Sequence, residues 1–214
     1  MRNPKILIVG TIVAIIGLFW VGADLFRGAE SKKDSTAAIE GEAVLVRDYS
    51  PTIGNGLLRV TVVEFLDPEC ESCRAFHPIM KDILKKYEGR IRYVVRYAPF
   101  HGNSKFVIKV LEAARRQGKY WETLDLLFEK LPEWGSHHDP RPDLVWTYLP
   151  SLGLDVEKIK VDMEDKAISD MIEQEIKDGA KLRVRGTPTF FVNGKLLESF
   201  GPEYLLEAIE AELK

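Results

Sequence analysis

Hydrophobic positions fall into a few dense patterns separated by polar punctuation. Ile6 to Ala23 is an unbroken run without a charged residue, preceded by Arg2 and Lys5. As a helix its eighteen residues reach about 27 Å, close to the hydrocarbon thickness of a bilayer. Positive charge before the run and little after it keeps the N-terminus cytoplasmic and sends the rest across. The run exceeds the usual length of a signal-peptide core, so residues 1–27 read as a membrane anchor. Val21-Gly22-Ala23 keeps a cleaved signal peptide as the alternative. Residues 28–42 are small, polar and without periodicity, and predict a flexible tether with a reach of roughly 20 Å.

Strand and helix periods alternate from residue 43 onward. Ala43 to Val46 is a short apolar stretch that predicts an edge strand, and residues 50–56, rich in Gly, Pro and Asn, predict a loop. Leu58 to Leu66 is rich in β-branched residues and predicts a strand buried on both faces. A helix follows, with apolar positions at Phe76, Ile79, Met80, Ile83, Leu84 and Tyr87. Ile91 to Tyr97 predicts a second strand. Thr189 to Val192 and Lys195 to Glu198, joined by Asn193-Gly194, predict a hairpin with a primed turn. Pro202 to Leu213 predicts a terminal helix with proline in its first turn.

Between the second strand and the hairpin the period is helical almost throughout. Helices are predicted around Phe106–Ala114, Trp121–Phe128, Pro142–Leu149, Val156–Met163 and Ile168–Ala180. Trp121, Phe128, Trp134, Trp146 and Tyr148 recur at helical spacing and read as the core of this block. The order strand, helix, strand, helical block, hairpin, helix describes an α/β layer with helices inserted as one block.

Composition narrows the class. The 214 residues are 45% hydrophobic and 29% charged, which excludes a wholly disordered chain and a polytopic membrane protein. A net charge of −3 gives no basic surface for nucleic acid. The two cysteines, Cys70 and Cys73, are too few for a disulfide-stapled mini-fold, so they matter as a pair.

Cys70-Glu71-Ser72-Cys73 follows the buried strand and opens the helix. Cys73 lies on the buried stripe, three residues before Phe76. Cys70 lies at the exposed first turn, where unpaired backbone N–H groups and the helix dipole favour a thiolate. One acidified and one sheltered sulfur suit thiol–disulfide exchange, with Cys70 attacking and Cys73 resolving the mixed disulfide. A zinc site normally needs four ligands and no second cysteine pair exists. Glu64, on the same strand face as Val60, Val62 and Leu66, is a carboxylate in a buried run. With a raised pKa it would exchange protons with Cys73. Val184 to Phe191 places Pro188 at the mouth of a strand; a cis Thr187–Pro188 bond would free the Thr187 backbone to pair with an extended substrate.

These motifs, with Pro78 five residues beyond Cys73 and the late Gly-Thr-Pro-Thr before the hairpin, resemble the thioredoxin superfamily. The long helical insertion resembles its DsbA-like thiol:disulfide oxidoreductases. The resemblance implies a thioredoxin fold over residues 43–214 with a helical insertion at about 101–181, preceded by the transmembrane helix. It implies Glu64 as the buried acid, Cys70 as nucleophile, Cys73 as resolving thiol, and Pro188 as the cis-proline facing them, with Thr187 binding substrate. No cofactor is required, because electrons move between sulfur pairs. The implied partners are cysteine-containing exported proteins and a membrane or periplasmic redox partner. The implied location is the cytoplasmic membrane, single-pass, with the catalytic domain facing the periplasm or cell exterior.

The strong oxidases of this family resemble Cys-Pro-His-Cys, where a histidine helps hold the thiolate. Here Glu71-Ser72 stands between the cysteines and Glu69 just before them, so both carboxylates are expected to raise the pKa of Cys70 and weaken its disulfide as an oxidant. Glu71, Ser72 and His77 are the candidate redox-tuning residues. A reductase or isomerase of the same fold is one alternative. A copper-binding or metallochaperone module using Cys70, Cys73 and His77 is another. His137-His138 reads as a solvated loop, and His101 follows Pro99-Phe100 after the second strand, where the resemblance implies a loop near the active site and a contact with substrate.

Overall fold

The computed structural model describes residues 44–214, and Leu45–Lys214 form one compact unit. The anchor and tether predicted at residues 1–27 and 28–42 lie outside the described residues. Among the described residues no helix is long and apolar enough to cross a membrane.

A five-stranded sheet carries the unit. Its strands are β1 (Thr52–Ile53), β2 (Val60–Leu66), β3 (Ile91–Tyr97), β4 (Thr189–Val192) and β5 (Lys195–Leu196), in the order β1-β3-β2-β4-β5. β2 and β3 run parallel, Val60 opposite Ile91 through Leu66 opposite Tyr97. The remaining pairings are antiparallel. β2 is central and its apolar residues are buried on both faces, which is why its sequence is a nearly continuous apolar run rather than alternating.

The crossover between β2 and β3 is helix α1 (Glu71–Lys86). Its buried residues Cys73, Phe76, Met80 and Ile83 keep the helical period predicted from the sequence. The larger of these side chains each contribute roughly 1.5–3 kcal/mol by leaving water. They face Val60, Val62, Leu66, Tyr93 and Val95 in the larger apolar core. Val63, Phe65, Val94 and Phe191 point to the opposite face and form a second, smaller core with Leu45 and Val184.

The inserted block comprises α2 (Ser104–Arg116), α3 (Tyr120–Trp134), the short α4 (Val145–Tyr148) flanked by 3-10 turns, α5 (Val156–Asp162) and α6 (Lys166–Lys181). Trp134 is fully buried and its indole N–H donates to the Leu127 carbonyl at 2.9 Å. The chain ends in α7 (Pro202–Leu213). Asn193 and Gly194 both take positive φ, 45° and 80°, as a primed hairpin turn demands. The Asn193 side chain also accepts from Thr61 N at 2.8 Å, tying the turn to β2.

One strand lies elsewhere than the pattern predicts. Leu45 sits in a helical turn, packs into the smaller core and offers its carbonyl to Arg96 Nη1 at 2.8 Å. The edge strand is instead Thr52–Ile53, inside the predicted loop, paired with Val94 and Tyr93. Gly54 ends it at φ +86°, where a Cβ would come within 2.9 Å of the Ile91 carbonyl oxygen.

Candidate active site

Cys70 is the N-cap of α1, in an extended conformation, with Cys73 one turn on. Both are free thiols. Cys70 is less exposed than the first-turn position suggests: 7% of its surface is open, against 1% for Cys73. Cys70 N–H donates to the Asp67 carbonyl at 3.0 Å, and Asp67 N–H donates to Cys73 Sγ at 3.5 Å. The segment between β2 and α1 therefore grips both cysteines.

The two thiols differ in chemistry. Hydrogen bonding from Cys73 holds the Cys70 thiol down to about 5. It prevails over burial, with help from the Thr187 side chain and the N–H groups of Cys73 and Ser72. Burial pushes Cys73 well above its ordinary value, and the neighbouring Glu64 adds to the rise. The peptide before Pro188 is cis, and the Cys70 thiol donates to the Thr187 carbonyl at 3.4 Å. Glu64 is 3% exposed and accepts a hydrogen bond from the Tyr93 hydroxyl. Burial raises its pKa to about 7; the Tyr93 bond opposes this, and the charge of Cys70 adds to it. A group poised near neutrality beside a high-pKa thiol has the properties of a proton donor and acceptor.

Comparison with known proteins bears on this geometry. The Thioredoxin family matches residues 47–211. The chain belongs to the thioredoxin family. Within it the chain is similar to DsbA-like thiol:disulfide oxidoreductases. It is similar to disulfide bond formation protein D of Bacillus subtilis, 29% identical over 83% of this chain and 79% of that protein. Its structure is similar to a thioredoxin-like oxidoreductase of Silicibacter pomeroyi, with TM-score 0.68 and 30% identity over 79% of this chain and 95% of that one. It also matches a Na(+)/H(+) antiporter NhaA of Herminiimonas arsenicoxydans, 29% identical over 95% of this chain but 32% of the antiporter. The chain spans a third or less of the length of such antiporter relatives.

The thioredoxin scaffold brings Cys70, Cys73, Glu64, Thr187 and Pro188 together and leaves other predicted residues outside. His77 Nε2 lies 2.6 Å from Asp125 Oδ1, and its ring packs on Phe128 at 5.0 Å. It is engaged with α3 rather than with the sulfurs, so its predicted tuning role and the copper set with Cys70 and Cys73 lose their third member. Among the described residues no group of three or more metal-binding side chains forms. The Glu71 side chain is 70% exposed, with His137 Nε2 4.0 Å from its Oε1.

Glu69 corrects the predicted repulsion. It turns from Cys70 and accepts from Asn103 N at 2.6 Å and Nδ2 at 2.7 Å, at the start of α2. Neither it nor Glu71 is among the main influences on Cys70, whose thiol is lowered rather than raised. Sequence reasoning also missed Asp67. Fully buried, it accepts from Phe100 N at 2.7 Å, His101 Nδ1 at 2.8 Å and Ser104 Oγ at 2.6 Å. The signal was an aspartate between a buried strand and the cysteine pair, where a carboxylate survives only with several donors.

Proposed function

We propose that this protein is an exported, membrane-tethered thiol:disulfide oxidoreductase that exchanges disulfides with cysteines of exported proteins through Cys70. The single observation that carries the reading is the split pair: Cys70 held at about 5 and Cys73 pushed well above its ordinary value, on one helix turn. In the oxidising direction a substrate thiolate attacks Cys70 Sγ and Cys73 leaves. Glu64, protonated at the start, gives Cys73 its proton. A second substrate thiol, deprotonated, then attacks the substrate sulfur of the mixed disulfide and releases the Cys70 thiolate. Thr187, preceding Pro188, holds the substrate backbone, its carbonyl already meeting Cys70. A stabilised thiolate favours the reduced pair and makes its disulfide a better electron acceptor, which supports the oxidising direction over the reductase or isomerase alternative.

The run at residues 6–23 supports export and anchoring, since disulfides persist outside the cytosol. A membrane or periplasmic redox partner would then restore the pair after each turnover. The test is oxidation of a reduced, unfolded cysteine-containing protein by the full-length chain, alongside equilibration in glutathione buffers. Disulfide transfer with a potential above about −150 mV supports the oxidase reading. A potential below about −200 mV, with transfer only toward reduction, reverses its direction. Absence of any exchange removes the proposal.

A further inference from the structure

A histidine on an element far away in sequence is bonded to the segment that precedes the thiol pair. The loop after β3 returns toward the cysteines and is clamped there by two buried carboxylates. Asp67 accepts from the backbone of Phe100 and His101, from Ser104 Oγ, and from His101 Nδ1 at 2.8 Å. Glu69 holds Asn103 by its backbone and side chain. The residue that clamps His101 also grips both cysteines, since the Asp67 carbonyl accepts from Cys70 N and its N–H donates to Cys73 Sγ. His101 thus lies one side chain away from the peptide that carries the pair. Its side chain is 27% exposed, half-sheltered from solvent screening.

We propose that His101, locked to Asp67, is a positioning residue that brings positive charge to the segment carrying the Cys70 thiolate and thereby adds to the oxidising strength of the pair. This inference rests on the proposed exchange chemistry and adds a determinant to it. In that chemistry two substrate thiols become a disulfide, and the Cys70–Cys73 disulfide takes the two electrons. The products on the enzyme are the Cys70 thiolate and the Cys73 thiol, with one proton released. Only the reduced state places a negative charge at Cys70, so a fixed cation there favours that state.

The charged groups around His101 set its protonation. They are Asp67 from the end of β2, Glu69 and Cys70 before α1, and His137, whose ring stands 5.6 Å away with Glu71 beyond it. Burial works against the imidazolium. The hydrogen bond and charge of Asp67, with Cys70 and Glu69, outweigh it and raise the His101 pKa. Linkage makes the coupling reciprocal: a thiolate that raises the histidine is itself stabilised by it. Loss of the ring would also remove one of the donors that hold the buried Asp67 side chain beside the thiol segment. A histidine from the loop after β3 then serves where Glu71-Ser72 provides no cation between the cysteines.

The experiment titrates the Cys70 thiolate by its ultraviolet absorbance in the reduced full-length chain, for wild type, His101→Gln and His101→Lys. It also equilibrates each protein with glutathione. The expected result is an acid dissociation constant of Cys70 at least about threefold smaller in His101→Gln, with a matching shift toward the disulfide, and recovery of both in His101→Lys. An unchanged titration in folded His101→Gln overturns the inference. So do equal shifts in the Gln and Lys variants, because then the loop's packing and not its charge is at work. The titration needs no substrate, so failure of disulfide transfer in wild type would count against the exchange function while leaving this result readable.

Discussion

The two faces of the β2–β3 pair bury carboxylates and treat them in opposite ways. On the face away from α1, Arg96 is fully buried among Glu175, Asp178 and the Leu45 carbonyl, and Arg47 makes a two-pronged contact with Asp178 at 2.8 and 2.7 Å. Burial opposes the charge of Asp178, yet the two guanidiniums and Gln174 hold its carboxyl below the usual carboxylate range. On the face toward α1, Glu64 has a tyrosine hydroxyl and no guanidinium among its hydrogen-bond donors, and its pKa climbs to about 7. The same strand pair thus locks charge on one side and leaves a proton free to move on the other. Burial alone does not decide what a carboxylate does; the partner supplied to it does.

The comparison breaks first at the sulfur. Both Cys70→Ser and Cys73→Ser lose net disulfide transfer, but with a disulfide-bonded substrate Cys73→Ser is expected to attack through Cys70 and accumulate a mixed disulfide while Cys70→Ser forms almost none, resolved by mass spectrometry of the quenched reaction. Equal yields of mixed disulfide from the two variants would contradict the split roles.

Next comes the locked face. Arg96→Met leaves Glu175 and Asp178 buried without their shared guanidinium and is expected to cost about 3–5 kcal/mol in urea denaturation. An unchanged midpoint would show that the network is surplus to the fold.

Glu64→Gln sharpens the contrast in the other direction. Wild-type Glu64 has a folded pKa of about 7 against an ordinary 4.5. The folded state therefore holds its proton more tightly than the unfolded chain. The resulting stability is full below about pH 4.5 and is lost as pH rises toward 7, about 3 kcal/mol in all. Relative to wild type, the glutamine variant should gain that stability at pH 8, and the difference should vanish near pH 4. It should also slow the release of Cys73. A variant less stable than wild type at pH 8 would contradict the unpaired character of this face.

The smallest effect is expected at His77. Since its ring is committed to Asp125 and Phe128, His77→Ala should change the glutathione equilibrium by less than about threefold. A larger shift would return it to the tuning role its spacing from Cys73 suggested.

What could be read from the chain alone follows from how local each signal is. β2, β3, α1 and α7 were legible because β-branched runs, a 3.6-residue apolar period and a first-turn proline are all written within a few residues. The cysteine pair was legible because its place at a helix start is local too. β1 was not. Two residues in a Gly- and Asn-rich loop show no period, and only their register against Val94 and Tyr93 makes them a strand. The tuning of Cys70 was misread for the same reason. Glu69 is its neighbour in sequence, but its carboxylate is spent on Asn103, 34 residues on, while the loop that brings His101 closes only in three dimensions.

Alkylation at pH 6 of the reduced, full-length chain, mapped by peptide mass spectrometry at short times, tests the central claim most directly. The account predicts rapid modification of Cys70, already ionised at that pH, and almost none of Cys73. Equal modification of the two, or faster modification of Cys73, would contradict it.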